Sequence, residues 1–383
     1  YPPVNPSIKI NDVYDFYLKA GPIKNLNTTY FHDSSKIWDE YLAHTTKDSY
    51  WQARNIRPHL TNIKPATLVV GGWFDAEDMF GALKTYEAIE QQNHDSLNRI
   101  IMGPWTHGAW SRGDWSSFAG IDFGSNTSAY FQQKEFTFFN YYLKDEGRFD
   151  EAKAHIFFTG SNKWKSFDKW PPDDAEKTKW YLNTKHTLTA VKGKSTGDDS
   201  YLSDPANPVP YIDEKSDDRI NEYMAADQTF ASQRKDVLYY TAPAFTKDVT
   251  LSGGIAASLW VSITTSDADF IVKVIDVLPN GTQQLVRAEV LRGKFRNSYE
   301  TPEPFVPGKI TPVKFMLNDV AHTFLKGHKL MVQIQSSWFP LVDRNPQKFV
   351  NIAEADESDF QSSTITIYHD AKHPSNIEVM ELR

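Results

Sequence analysis

Residues 63–108, IKPATLVVGGWFDAEDMFGALKTYEAIEQQNHDSLNRIIMGPWTHG, constrain this chain more than any other stretch. Two short apolar runs, 66–70 and 99–102, each end in a glycine-containing turn that delivers one polar side chain. Asp75 follows the first run and His107 the second. Between them, 76–92 has helical periodicity. Strand–turn–helix–strand–turn predicts the closing part of a parallel α/β sheet. An acid and an imidazole then stand at the carboxyl ends of two strands, the edge where ligands and catalytic groups gather in open α/β sheets.

Local chemistry adds detail. Gly71 and Gly72 are expected to free the backbone for a sharp turn. Asp75 should sit at or near a helix N-cap, with Glu77 and Asp78 in the first turn, where the helix dipole favours acids. Met79, Leu83 and Tyr86, with Phe80 and Ile89, make the apolar side of that helix. Residues 109–127 form a loop rich in Gly, Ser and Trp, long enough to border a pocket. Residues 128–144 return to helix, with one stripe from Phe131, Phe138 and Tyr142 and an adjacent one from Phe136, Phe139 and Leu143. A helix this aromatic is expected to lie between two layers.

On either side the character differs. Residues 1–62 are polar, aromatic and irregular, with short helices expected at 12–20, stopped by Gly21 and Pro22, and at 36–43. Such a segment has no core of its own and should pack on something else as the remnant of a helical cap. The first residues, YPPVNPSIKI, lack an initiator Met, which points to processing or truncation. The α/β part is expected over 63–147. From 148 to 383, period-two runs at 154–158, 179–182, 255–263, 270–277, 285–290 and 330–335 predict an all-β sandwich of the jelly-roll type. Pro279, Asn280 and Gly281 mark a hairpin. The Gly- and Pro-rich stretch from 190 to about 219 reads as a long excursion.

With 383 residues, 40% of them hydrophobic, the chain can bury a core and form two domains or more. A net charge of −8 and no basic cluster argue against nucleic acid, and no run approaches the roughly 18 apolar residues that span a bilayer. Neither is expected as a partner. The absence of cysteine removes disulfides, thiolate metal sites and cysteine nucleophiles, and fits cytoplasm and periplasm equally. Asp267, Asp269, Asp198 and Asp199 are acidic enough for Ca²⁺, but such turns are usually only solvated. No metal or cofactor is expected.

Asp75 and His107 suit an orienting acid and a general base. The carboxylate holds the imidazole in one tautomer and stabilises the imidazolium formed when the ring takes a nucleophile's proton. Asp before His is the tail of the Ser…Asp…His order of α/β-hydrolases, whose serine sits in a G-x-S-x-G elbow. That motif does not occur ahead of Asp75, and the serines preceding Asp75 (Ser7, Ser34, Ser35 and Ser49) have neither a buried strand before them nor flanking glycines. The serine is expected outside this chain.

GGWFDAEDMFGA (71–82) and IMGPWTHG (101–108) resemble the Asp and His motifs of the cocaine-esterase-like acyl hydrolases, which include α-amino-acid ester hydrolases, glutaryl-7-aminocephalosporanic acid acylases and X-prolyl dipeptidyl peptidases. DSYWQARN (48–55) resembles the end of the family's helical cap. IFFTGSNKW (156–164), with Trp170, Pro171 and Pro172, resembles the opening of its jelly roll. The similarity covers essentially the whole chain and is strongest over 48–172.

The resemblance implies a serine acyl hydrolase cleaving an ester or amide through an acyl-enzyme, with no cofactor, from which the first half of the hydrolase domain is absent. That half, carrying the serine and the oxyanion tyrosine, would be the protein partner, and this chain alone would be inactive. A periplasmic or secreted location is also implied, and a homo-oligomer stays open. Asp48 matches a cap acid that holds a substrate ammonium, although Lys47 stands where a second acid belongs; a helix cap is its plainer role. Trp73, Phe74 and Trp105 flank the catalytic positions and are candidates for an acyl pocket or for plain core packing. The rival reading is a jelly-roll module binding carbohydrate or a partner protein, which has no use for an Asp–His pair.

Overall fold

The computed structural model describes residues 9–94, 96–149, 151–193 and 197–383. Most of the YPPVNPSIKI start, Ser7 and part of the 190–219 excursion lie outside the described residues.

The chain opens with α1 (Val13–Ala20), α2 (Lys36–Ala43) and α3 (Ser49–Gln52). Asp12 caps α1 by accepting the Tyr14 N–H, and Gly21, at φ 78°, ends it. The arm does pack on another part of the chain, as its composition required. Val13 is buried with Tyr211, Ile271 and Trp338, and Tyr14 Oη donates to Pro208 O at 2.7 Å.

The α/β unit follows as β1 (Thr67–Gly72), α4 (Met79–Gln92) and β2 (Asn98–Gly103), with a small hairpin of β3 (Ser117–Phe118) and β4 (Ile121–Asp122) before α5 (Thr127–Lys144). β1 and β2 pair in parallel from Thr67↔Asn98 to Gly72↔Gly103. Alternate residues serve opposite faces. Val69, Ile100 and Met102 meet Met79, Leu83 and Tyr86 of α4, while Leu68, Val70 and Ile101 join the cluster holding Phe131 of α5. Phe80, expected on the apolar side of α4, is instead 47% exposed.

The sheet does not stop at residue 147. β5 (Ala154–Phe158) pairs in parallel with β2, and β6 (Lys163–Phe167) antiparallel with β5, giving the order β1-β2-β5-β6. The expected boundary between 147 and 148 therefore cuts this sheet, and 154–158, expected in the C-terminal β part, pairs here instead. Every residue of β5 is buried, as in a parallel strand covered on both faces, so alternation says nothing about its side.

The rest is sheet-rich: β7 (Ala175–Asn183), β8 (Thr187–Thr189), β9 (Asp198–Ser203), β10 (Leu238–Thr241), β11 (Val249–Ile263), β12 (Asp269–Val277), β13 (Gln283–Arg292), β14 (Thr311–Phe324), β15 (Lys329–Gln335), β16 (Ser363–Tyr368) and β17 (Asn376–Leu382). They form one connected sheet, β13-β12-β15-β10-β8-β7-β17-β11-β16-β9, with β14 on β11. Side chains from all eleven strands meet in one apolar cluster, so the sheet bends back on itself around that core. The Pro279–Asn280–Gly281 signal is the turn between antiparallel β12 and β13, with Gly281 at φ 94°. β14 escaped the sequence reading because exposed Met316, Asp319 on the inward register and buried His322 interrupt its alternation.

Candidate active site

β1 runs into Trp73, Phe74 and Asp75; β2 runs into Pro104, Trp105, Thr106 and His107. Backbone bonds lock the two turns together: Trp73 N–H donates to Gly103 O (2.8 Å) and Phe74 N–H to Trp105 O (3.0 Å). The glycines are required by this closeness. A Cβ on Gly72 would stand 2.1 Å from Trp105 O, and one on Gly71 2.7 Å from both Ala82 Cβ and Met102 Sδ. Neither has positive φ, so tight approach, and not the expected conformational freedom, explains them.

Asp75 is 3% exposed and uses both oxygens. Oδ1 accepts the N–H groups of Glu77 (2.9 Å) and Asp78 (3.0 Å), fixing the turn before α4, whose own N-cap is Asp78. Oδ2 lies 3.0 Å from His107 Nδ1. Asp75 thus caps the preceding turn, and Glu77 and Asp78 fall before the first helical turn. With the carboxylate ionised, Nδ1 carries the imidazole proton and the Nε2 lone pair is left free.

The His107 side chain is 55% exposed, and Nε2 has no hydrogen-bond partner among the described residues. Trp110 stands edge-on to the ring at 6.3 Å. Asp75, His107 and Trp110 line a cleft of about 400 Å³ with Val69, Val70 and Arg57. Arg287, wholly buried in β13 and pushed down to about 10 by desolvation, donates to Trp73 O at 3.3 and 3.4 Å, so the β-rich part braces the acid's turn.

Residues 143–378 match the X-Pro dipeptidyl-peptidase C-terminal non-catalytic domain, and residues 5–109 match X-Pro dipeptidyl-peptidase (S15 family). The chain belongs to the cocaine-esterase/X-Pro dipeptidyl-peptidase (S15) family. It is 29% identical to cocaine esterase of Rhodococcus sp. over 357 residues, 89% of this chain and 60% of that protein. An aminopeptidase from a marine-sediment Thaumarchaeota archaeon superposes with a TM-score of 0.93 at 33% identity, covering 97% of this chain and 64% of that one. An α-amino acid ester hydrolase gives 0.91 at 31% identity with the same coverages. The chain thus spans less than two thirds of the length of each of these relatives.

Other expected site residues fall elsewhere. Asp48 is the N-cap of α3: Oδ1 accepts the Tyr50 N–H, and Oδ2 lies 2.6 Å from His44 Nδ1. The His44 hydrogen bond holds its carboxyl below the usual range. Asp48 does not line the cleft; capping and His44 use its oxygens. Trp73, Phe74 and Trp105 also stay out of the cleft, being 3%, 5% and 0% exposed. Trp73 Nε1 donates to Phe157 O, Trp105 Nε1 to Thr127 Oγ1, and Phe74 packs on Phe118 and Phe123. Their backbones join the turns while their rings anchor them in the core.

Ser34 bonds back to Phe31 O, Ser35 precedes α2 and Ser49 opens α3; no described serine lines the cleft. A second serine, histidine and acid do lie together: His155 Nδ1 is 3.1 Å from Ser166 Oγ, and Nε2 is 3.1 Å from Glu151 without a hydrogen bond between them. Lys134 already holds both Glu151 oxygens and Tyr130 Oη shares Nδ1, so this cluster ties α5 to β5 and β6.

Three of the four acids named for Ca²⁺ are satisfied by protein, and Asp198 is exposed. Asp267 accepts from Ala268 N, Lys294 N and Asn345, Asp269 from Asn345 beside Arg292, and Asp199 from Tyr240 Oη beside His369. Among the described residues no group of three or more His, Cys, Asp or Glu could hold a metal ion.

The sequence reading missed Trp110, Arg57 and Phe80 as cleft residues. Arg57 has its guanidinium 5.3 Å from the Phe80 ring. The signal available was the predicted pocket-bordering loop at 109–127; nothing local marks the other two.

Proposed function

We propose that Asp75 and His107 are the acid and base of a serine acyl hydrolase that cleaves an ester or amide. The observation that carries this reading is the 3.0 Å contact between buried Asp75 and His107 Nδ1 at the carboxyl ends of adjacent parallel strands, with Nε2 open to the cleft. His107 would take the proton of a serine hydroxyl as it attacks the acyl carbon, then return it to the leaving group. Asp75 would hold the ring and stabilise the imidazolium. Water would then hydrolyse the acyl-enzyme by the same route, with no cofactor.

The serine and the oxyanion donors come, on this reading, from polypeptide outside the 383 residues, so this chain alone is inactive. We take residues 1–62 as the end of a helical cap, the sheet through β6 as the closing part of an α/β-hydrolase domain, and the remainder as a jelly roll. Purified chain should show no turnover of a p-nitrophenyl ester and no covalent labelling by a fluorescent fluorophosphonate. Ester turnover by this polypeptide alone, abolished by His107→Ala, would overturn the external nucleophile. A labelled second polypeptide co-purifying with it would identify the serine's carrier.

A further inference from the structure

We infer that the groove between α4 and the β-rich part is a binding site for a primary alkylamine, its ammonium on Asp319 and its hydrocarbon along Trp170, Met316 and Met380. The inference does not depend on the external serine. Of the residues around the groove, only Lys84 also lines the cleft at Asp75 and His107. The groove holds about 680 Å³, within the range of small-molecule sites. Tyr86 of α4, Met316 of β14 and Met380 of β17 wall it, and Trp170 and Pro171, from the link between β6 and β7, line it as well. Trp170 is 7% exposed, whereas Met316 is 61% exposed, an open apolar surface beside a buried one.

A bulge in β14 delivers the carboxylate. Gly253 of β11 pairs with Val320 and Ile255 with Leu317, so Asn318 and Asp319 stand opposite Gly254 alone. Leu317 and Val320 both enter the large apolar core. By plain alternation Asp319 would point the same way as Leu317; the extra residue turns it to the other face, toward the groove. The glycine opposite keeps that space open. A Cβ on Gly254 would stand 3.0 Å from Met316 Cε and 3.3 Å from Asp319 Oδ1. Re-aiming a side chain in this way is what bulges do beside binding sites.

Among the described residues Asp319 accepts one hydrogen bond, from Trp170 Nε1 to Oδ2 at 2.8 Å, and forms no ion pair. Burial pushes its carboxyl up. The two cations whose field reaches it are engaged elsewhere: Lys84 Nζ lies 2.6 Å from Glu87, and Arg287 donates to Trp73 O. The other acids lining the groove are balanced within the chain, Glu90 by Lys153 and Glu378 by Lys177. One carboxylate is therefore left uncompensated beside an apolar wall. Its complement is one ammonium on a hydrocarbon body: the charge-assisted bond satisfies Oδ1, and alkyl burial supplies the rest. A basic peptide would call for more uncompensated charge than this groove offers, so the occupant is a small molecule.

The test titrates the 383-residue chain with hexylammonium, hexanol and a lysine-containing tetrapeptide, following the methyl resonances of Met316 and Met380 by NMR. We expect saturable shifts with hexylammonium at a dissociation constant of about 1 mM or lower, and binding at least about tenfold weaker for hexanol and in Asp319→Asn. That substitution keeps an acceptor for Trp170 Nε1, and thermal unfolding checks that the variant stays folded. Gly254→Leu, which fills the space beside an intact carboxylate, gives a second reading and should abolish binding. No saturable shift, equal binding of hexanol, or affinity indifferent to both substitutions overturns the site. Amine-induced shifts confined to His107 and Trp110 would place the ligand in the other cleft and overturn it as well. Tighter binding of the tetrapeptide overturns the small-molecule occupant.

Discussion

Lys273 lies in β12 with no solvent exposure, its ammonium 2.8 Å from Gln228 Oε1 and 5.2 Å from the centre of the Trp338 ring. Burial pushes the amine down to about 7. An unfolded chain holds that proton up to about 10.4, so between these values the unfolded state binds more protons. Stability must therefore rise with pH across that window, by on the order of 3–5 kcal/mol when the whole shift is expressed. Urea midpoints at pH 7 and 9.5 should show the rise in the wild type and lose it in Lys273→Met, which should also be the more stable protein at pH 7. Asp75 and Asp48 make the complementary point. Each accepts a backbone N–H at a turn and lies within 3.0 Å of an imidazole, yet only Asp75 is buried and borders the cleft.

Among elements, the paired turns after β1 and β2 are the least tolerant of change. Gly72→Ala would drive a methyl group against Trp105 O and break the Phe74–Trp105 bond that keeps Asp75 beside His107. We expect a loss of about 2–4 kcal/mol by thermal unfolding, together with a shifted His107 resonance in NMR. Gly113→Ala, in open space without positive φ, should stay within about 0.5 kcal/mol. An unmoved His107 resonance in Gly72→Ala would show that the turns are set by something other than this contact. α4 is the tolerant counterpart: Met79, Leu83, Tyr86 and Ile89 carry its packing, so exposed Phe80 can change with little cost to stability.

Across the whole molecule, the N-terminal arm and the β-rich part behave as one packed body. Val13 enters the cluster with Ile271 and Trp338, and Lys24 bonds Asp356 at 2.5 Å. Val13→Asp buries an unpaired carboxylate there. It should cost about 2–4 kcal/mol and raise amide exchange first around 209–225 and 338–342, with β1 and β2 unaffected. Uniform loosening of the α/β sheet would contradict that division. The sheets also meet directly: Thr159 N–H donates to Ala321 O, and His322 bridges Thr159 Oγ1 and Asp276.

Much of this was legible in the residues because it depends on local periodicity and turn chemistry. The 63–108 pattern placed Asp75 and His107 at adjacent strand ends, Pro279 to Gly281 marked the β12–β13 turn, and α2 fell where its Tyr and Trp spacing put it. Alternation also found β12 and β15. Tertiary structure alone decided the rest. β5 joins the α/β sheet, and its short apolar run could not show this because burial on both faces leaves no polar side to assign it. Gly71 and Gly72 are needed for an approach by residues some thirty positions away. Trp73, Phe74 and Trp105 turn inward while Phe80 and Trp110 border the cleft, because which face of a turn meets the core is set by neighbours distant in sequence. Short-range sterics and hydrogen bonding are written in adjacent residues; burial and the partner of a side chain are properties of the assembled whole.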